Sequence, residues 1–296
     1  MKIYRHWVCV ERELDDNGRK RSFSVYGGSN ISPADARQQG QQQLDRIQSR
    51  LAEGGGFGPY GYADRAVREP ILDELQSGDR TAAIITRNAY GAHVLNTPSI
   101  MFADIDLPGD QSPVPTIPEW VDWFSFIPGI RRRIAEVRKM LADRQANRHS
   151  TALERIREIV ARHSDLGMRV YRTAAGLRCL VTNQTWDPCG EPTQQLLTGL
   201  NSDPLYVRLC HTQRCFRARL TGKPWRMGLG NPPQRICGGQ AQSSELAGWL
   251  GQYEQRHPGY SVCRYLETIG RQEVSPLVEP VLAVHDTLCV GELPLA

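Results

Sequence analysis

Asp104-Ile105-Asp106 closes an almost wholly apolar run, Ser99-Ile100-Met101-Phe102-Ala103. Side chains two residues apart on a strand point to the same face, so an extended segment here brings both carboxylates together. Carboxylates that close repel unless a cation lies between them. Mg²⁺ or Mn²⁺ is the natural occupant, because a hard ion takes oxygen ligands and bridges substrate phosphates. The doublet also has a reading without an ion, in which Asp104 caps a turn, Asp106 opens the next loop, and backbone N–H groups satisfy both.

Two basic segments can face such a site. Tyr171 to Arg178 reads as a strand, a turn of small residues and a second strand, with Arg172 and Arg178 on its arms. Guanidinium groups grip phosphate oxygens in bidentate fashion, although a hairpin with two solvent-facing arginines has the same pattern. In Cys215 to Arg226, alternation puts Arg217 and Arg219 on one strand face, and Lys223, Trp225 and Arg226 follow in a loop. Basic groups interleaved with an aromatic ring suit phosphates and a stacked base; otherwise Trp225 is an anchor into the core. Charge is segregated along the chain. No Lys or Arg lies between Arg87 and Arg131, where Asp104, Asp106, Asp110, Glu119 and Asp122 fall, and no Asp or Glu lies between Asp203 and Glu245. That pattern fits a cation-holding segment and a phosphate-holding one, or two solvated faces in balance.

The elements that must position these residues follow from periodicity. Alternating runs at His6–Val10 and Ser22–Tyr26 flank Asn17-Gly18, a hairpin signal. Ser32-Pro33 starts a helix that runs to about Leu51 with a Gln-rich exposed face. Residues 63–76 read as a second helix, and 81–86, 92–95 and 99–104 as strands. A Pro-rich connector covers 109–118, and a long basic helix covers about 130–163. Residues 168–173 and 176–182 make a hairpin, 192–201 a helix, 205–209 a strand, 222–239 a loop and 243–256 a helix. Residues 282–286 read as a last strand or a helix end. The result is an α+β protein with two units, an N-terminal α/β unit over 1–98 and a second over 99–296 that carries the basic helix as an insertion.

Other chemistries find less support. The composition, 40% apolar and 23% charged, is globular rather than disordered. No apolar run approaches the ~20 residues of a membrane-spanning helix, and the N-terminus has no signal-peptide stretch, so a cytoplasmic protein with no membrane partner is expected. The eight cysteines include one close pair, Cys210 and Cys215. A zinc ribbon needs a second such pair, so buried free thiols are expected. No two histidines have helix-face metal spacing, and Gly54 to Gly58 lacks the Lys-Ser/Thr of a phosphate-binding loop.

The order of these motifs resembles the archaeo-eukaryotic primase superfamily, whose catalytic unit is an RRM-like, palm-type antiparallel sheet. Its hydrophobic-Asp-x-Asp/Glu motif falls on Asp104 and Asp106. Its second motif, which ends in His, falls on Thr173 to Arg178, with Arg178 in the place of that His. Its hydrophobic-Asp motif falls on Asp286 after Leu282-Ala283-Val284-His285, with Asp203 as the alternative. The resemblance implies an RRM-like sheet with helices packed on one face, and Asp104, Asp106 and Asp286 as the catalytic acids. It implies Mg²⁺ or Mn²⁺ as cofactor, and nucleoside triphosphate or single-stranded nucleic acid as partner. Arg172, Thr173, Arg178, Arg217, Arg219, Lys223 and Arg226 would contact nucleotide or phosphate. The function expected on this basis is metal-dependent nucleotide or nucleic-acid processing of primase-polymerase type, a nucleotidyltransferase in full or degenerate form. The alternative is a non-catalytic nucleic-acid-binding module with a basic sheet surface.

Overall fold

A computed structural model of the chain describes residues 1–16, 19–53, 66–107 and 128–296. The alternating N-terminal runs form an antiparallel hairpin, β1 (His6–Asp16) and β2 (Arg19–Ser29). The expected Asn17-Gly18 turn lies outside the described residues. Helix α1 (Pro33–Ala52) starts where Ser32 caps it, its hydroxyl accepting from the Asp35 N–H, and lays Ala36, Leu44, Ile47 and Leu51 on the hairpin. Its glutamines face solvent. The approach is close enough to require glycine, since a Cβ on Gly27 would lie 1.8 Å from the Ala36 carbonyl oxygen.

A second antiparallel sheet has the order β3 (Ile71–Ser77), β4 (Arg80–Arg87), β5 (His93–Thr97) and β9 (Phe216–Arg219). A third has the order β10 (Cys263–Gly270), β7 (Gly167–Thr173), β8 (Gly176–Val181) and β6 (Phe102–Asp106). Strands β6 and β7 both run antiparallel to β8 and therefore parallel to each other. The long helix α2 (Pro128–Arg162) lies between them in sequence, a split β-α-β arrangement. Among the described residues the further α-helices are α3 (Glu191–Gly199), α4 (Pro204–Gln213), α5 (Ser244–Arg256) and α6 (Glu279–Cys289). Among the described residues no helix is long and apolar enough to cross a membrane.

Several elements differ from the sequence expectation. Of the expected helix over 63–76, Ile71–Ser77 is strand β3 and 66–70 are not helical, Val67 bridging to Ile3; 63–65 lie outside the described residues, as does the 109–118 connector. Leu205–Leu209 is helical, because Asp203 caps α4 by accepting from the Leu205 N–H and Pro204 occupies its first turn. Residues 282–286 lie inside helix α6. Helices pack on both faces of the third sheet. On one face α2 is joined to β10 by the Arg157–Glu267 ion pair at 2.5 Å. On the other, α6 sets His285 against Phe102 and Tyr171, with ring centroids 5.3 and 4.9 Å away. The second sheet takes its edge strand β9 from beyond residue 99, through Val94↔Arg219 to Thr97↔Phe216.

The main core lies around the third sheet and includes Phe102, Ile105, Val170, Leu177, Leu180, Ile156 and Val160. Helix α2 joins that core through its C-terminal turns, whereas Arg132, Arg133, Val137, Lys139 and Met140 are exposed.

Candidate functional site

Strand β6 places the acid pair. Register sets Asp104 opposite Arg178 and Asp106 opposite Gly176 on β8, so both aspartates face the same side as Arg178, Tyr171 and α6. Asp104 directs its own backbone away from β8. Its N–H donates to Ser202 Oγ at 3.2 Å, and its C=O accepts from the Ser202 hydroxyl at 2.9 Å and the Asp203 N–H at 3.0 Å. Asp104 and Arg178 thus form a non-hydrogen-bonded pair, the closer of the two antiparallel pair types. The same contacts, with the Tyr206 hydroxyl donating to the Phe102 carbonyl at 3.0 Å, cover the open edge of β6. Gly176 is required here, since a Cβ on it would lie 2.0 Å from the Ile105 carbonyl oxygen.

Arg178 is the most buried charge of the site, 3% exposed. Its Nε lies 3.8 Å from Asp104 Oδ1, its Nη1 donates to the Arg219 carbonyl at 2.9 Å, and the same nitrogen lies 3.4 Å from His285 Nε2. Burial opposes its charge, yet Asp104 and the Cys263 and Cys289 thiols outweigh it and raise its pKa. Arg178 therefore points at Asp104 while fixing the end of β9.

The cations beyond β9 converge on the same place. Lys223 is pushed down to about 8 by burial and by the charges of Arg219 and Arg226, with Asp106 and Asp104 acting in the opposite sense. Arg226 is lowered by burial and Arg219, again with Asp106 and Asp104 opposing. Arg219 holds a buried Nε with no hydrogen-bond partner. Trp225 is half exposed instead of anchored in the core. Its ring meets Tyr90 edge-on at 5.3 Å between centroids, and Lys223 Nζ sits 5.5 Å from its centroid. Tyr90 is a member of this group that sequence reasoning missed; it stands alone after Asn88-Ala89, with no local signal.

Five expected residues lie elsewhere or are otherwise committed. Arg217 shares a strand face with Arg219 but is paired with Glu69, its Nη2 at 2.8 and 2.6 Å from the two carboxylate oxygens. Burial works against its charge, and Glu69 more than compensates, so its pKa is raised. It is a structural ion pair and not a phosphate contact; leaving either partner alone would cost about 3–5 kcal/mol. Asp286 on α6 accepts from Arg169 Nη1 at 2.5 Å, the Tyr171 hydroxyl at 2.9 Å and His285 Nδ1 at 2.8 Å. Burial is overcome by those bonds, and its pKa is lowered. It reaches Arg178 only through His285, so it is bound up in its own network beside the acid pair. Asp203 caps α4. Arg172 faces the opposite side of the sheet from Arg178, in register with Leu177 and Arg264. Thr173 is buried at the hairpin turn, its hydroxyl accepting from the Ala175 N–H at 3.4 Å.

The cysteines are all free thiols. Cys263, His285 and Cys289 lie within 4.8 Å of one another. Hydrogen bonding to Cys289 and His285, together with the Arg178 charge, lowers the Cys263 pKa against the effect of burial. Both ring nitrogens of His285 are already engaged and the Arg178 guanidinium stands beside it, an arrangement that stabilises a thiolate and repels a metal cation.

Of two cavities of about 480 and 460 Å³, neither is lined by Asp104 or Asp106, although the second includes Ser202, which bonds the Asp104 backbone. The first is bounded by Tyr4, Trp7, Glu69 and the 234–242 segment, the second by α3 and α4. The acid–base group lines neither cavity, and its charge pattern marks it as the candidate site. Comparison of the chain with protein-family models, with curated proteins and with solved structures gives no match.

Proposed function

We propose that the groove between β6 and the 219–226 segment binds the phosphates of a nucleotide or of single-stranded nucleic acid together with Mg²⁺ or Mn²⁺. In this reading the site is a degenerate relative of the primase-polymerase type, built on a palm-like sheet. The observation that carries it is the convergence of two same-face carboxylates with Arg219, Lys223 and Arg226, where the Arg219 charge helps to lower the other two and Arg219 holds a buried, unpartnered guanidinium nitrogen. Cations held close against mutual repulsion are completed by an anion, and a phosphate chain supplies one with several acceptor oxygens. Asp104 and Asp106 fit a hard cation, being oxygen donors on one strand face with no side chain on Gly176 opposite Asp106. Bound there, the ion would neutralise phosphate charge and orient it.

The chain's own residues divide the remaining work. Lys223, Arg226 and Arg219 hold phosphate oxygens, and Trp225, edged by Tyr90, offers a half-exposed ring on which a base stacks. Arg178 positions: it pins β9 to β8 through the Arg219 carbonyl and sets Asp104 by charge. Binding is favoured over polymerisation on two grounds. The residue in the place of the motif histidine is a buried arginine, and Asp286 is committed to Arg169, Tyr171 and His285 instead of serving as a third metal ligand.

The test is equilibrium binding of a fluorescent nucleoside triphosphate with and without millimolar Mn²⁺. Mn²⁺-dependent binding is expected, with loss of roughly 10-fold or more in affinity in Lys223→Ala/Arg226→Ala and in Asp104→Asn/Asp106→Asn, on the scale of charge-assisted hydrogen bonds. Affinity indifferent to both pairs of changes would remove the proposal.

A further inference from the structure

A second convergence of donor atoms lies where α5 meets β5. His93 opens β5, and Glu254 and His257 stand at the C-terminal end of α5 three residues apart, on one face of the helix. His93 Nε2 is 3.0 Å from Glu254 Oε1, and His257 Nε2 is 3.0 Å from Glu254 Oε2. One donor atom from each residue lies within 4.8 Å of the other two. The group is open to solvent, with side-chain exposures of 21, 39 and 24% for His93, Glu254 and His257. Arg87 Nη2 holds Glu254 Oε1 at 2.6 Å and so fixes the plane of the carboxylate.

We propose that His93, Glu254 and His257 form a binding site for one transition-metal cation of the Zn²⁺ class. Two imidazole nitrogens and one carboxylate oxygen are the donors that such ions select, and they are poorly suited to Mg²⁺ or Ca²⁺. Tetrahedral Zn²⁺ with bonds of ~2.0–2.1 Å spaces its ligands roughly 3.4 Å apart, a separation within the 4.8 Å span of the three donors and close to the 3.0 Å between Glu254 Oε2 and His257 Nε2. Glu254 Oε2 and the two Nε2 atoms make three ligands, Oε1 stays on Arg87 as the orienting contact, and water takes the fourth place. On binding, each Nε2 gives up its hydrogen and the ring keeps one on Nδ1. The ion would clip α5 onto the second sheet. It would also steady the start of the Lys223 loop, since the His93 N–H donates to Thr221 Oγ1 at 2.8 Å and the Tyr253 hydroxyl joins Thr221 to the Gly222 carbonyl.

The site is independent of the acid pair, and its test does not use nucleotide. The full chain, freed of metal with a chelator, is titrated with Zn²⁺ by calorimetry, and Co²⁺ is followed by its visible spectrum. One equivalent is expected, with Co²⁺ bands of tetrahedral intensity and no thiolate charge-transfer band. Affinity should fall by about 100-fold or more in His93→Ala and in His257→Ala, beyond the ~10–100-fold of an outer-shell change, and should hold in Cys263→Ser. Both histidine variants should match the wild type in circular dichroism in chelator. His257 lies at the open end of α5, so its variant carries the test even if His93→Ala does not fold. Absence of stoichiometric binding, a thiolate band, or affinity unchanged in His257→Ala would each overturn the assignment.

Discussion

Lys223 shows how this groove sets function against stability. Its ammonium is held among Arg219 and Arg226 and partly out of water, which brings its pKa from 10.5 to about 8. The unfolded chain therefore binds more protons than the folded one between about pH 8 and 10.5. Stability contributed at this position rises with pH through that window, and below pH 8 the folded state carries the charge against its neighbours. Lys223→Met is accordingly expected to raise the urea midpoint at pH 7, with the gain fading towards pH 10.5, and to weaken triphosphate binding at the same time. In the wild type the Lys223 share of binding declines as pH passes through about 8 and the ammonium deprotonates; the Met variant should have a flatter profile between pH 7 and 9. A midpoint that falls at pH 7 would mean that Lys223 is already satisfied and not strained. Arg217 makes the opposite point at the same scale. Its alternation with Arg219 was legible, but its partner Glu69 lies 148 residues away and gives no local sign. A guanidinium read from sequence as open to a ligand is thus closed by an acid that only the fold brings near.

Among the elements, β6, β7 and β8 were the most legible, because strands buried on both faces read as nearly continuous apolar runs and the small-residue turn at 174–175 can only be a hairpin. Leu205–Leu209 misled through its apolar–polar alternation. The better signal was Asp203-Pro204, the same cap-and-proline start that located α1 at Ser32-Pro33. Strand β10 was missed because Arg264, Leu266 and Glu267 give it no clean alternation, and a bulge between Tyr265 and Glu267 shifts its register against β7. The site's dependence on element packing is sharpest at Gly176. A methyl group there would lie 2.0 Å from the Ile105 carbonyl and 3.0 Å from the Leu107 nitrogen, both backbone atoms with no side chain to swing aside. Gly176→Ala is expected to cost about 3 kcal/mol, the upper part of the range for overpacking, and to lower triphosphate affinity by moving β6 and its two acids off β8. Denaturation of this variant with a wild-type midpoint would show that β6 is not held against β8 as described.

On the scale of the whole molecule, the groove exists because two sheets meet. The acids come from the edge of the third sheet, the cations follow the last strand of the second, and Arg178 ties them by donating from β8 to the end of β9. Charge segregation along the sequence, acids before residue 131 and arginines after 203, marked two segments of opposite charge, but not that β9 would leave its neighbours in sequence to join β5. Helix α2 was visible as a long basic helix; Arg132, Arg133 and Lys139 on its first turns are exposed, while its last turns enter the core. The groove and the His93 group share no ligating residue, so the stabilisation by each ligand should be lost in variants of its own site and kept in variants of the other. A triphosphate with Mn²⁺ at about 100 times its Kd adds about 2.7 kcal/mol, which for a chain of this size raises Tm by roughly 5 °C. Differential scanning fluorimetry should record that rise in the wild type and lose it in Asp104→Asn/Asp106→Asn, while a separate rise with Zn²⁺ persists in the aspartate variant and disappears in His257→Ala. Loss of both rises in either variant would mean one shared site or general destabilisation in place of two sites on one scaffold.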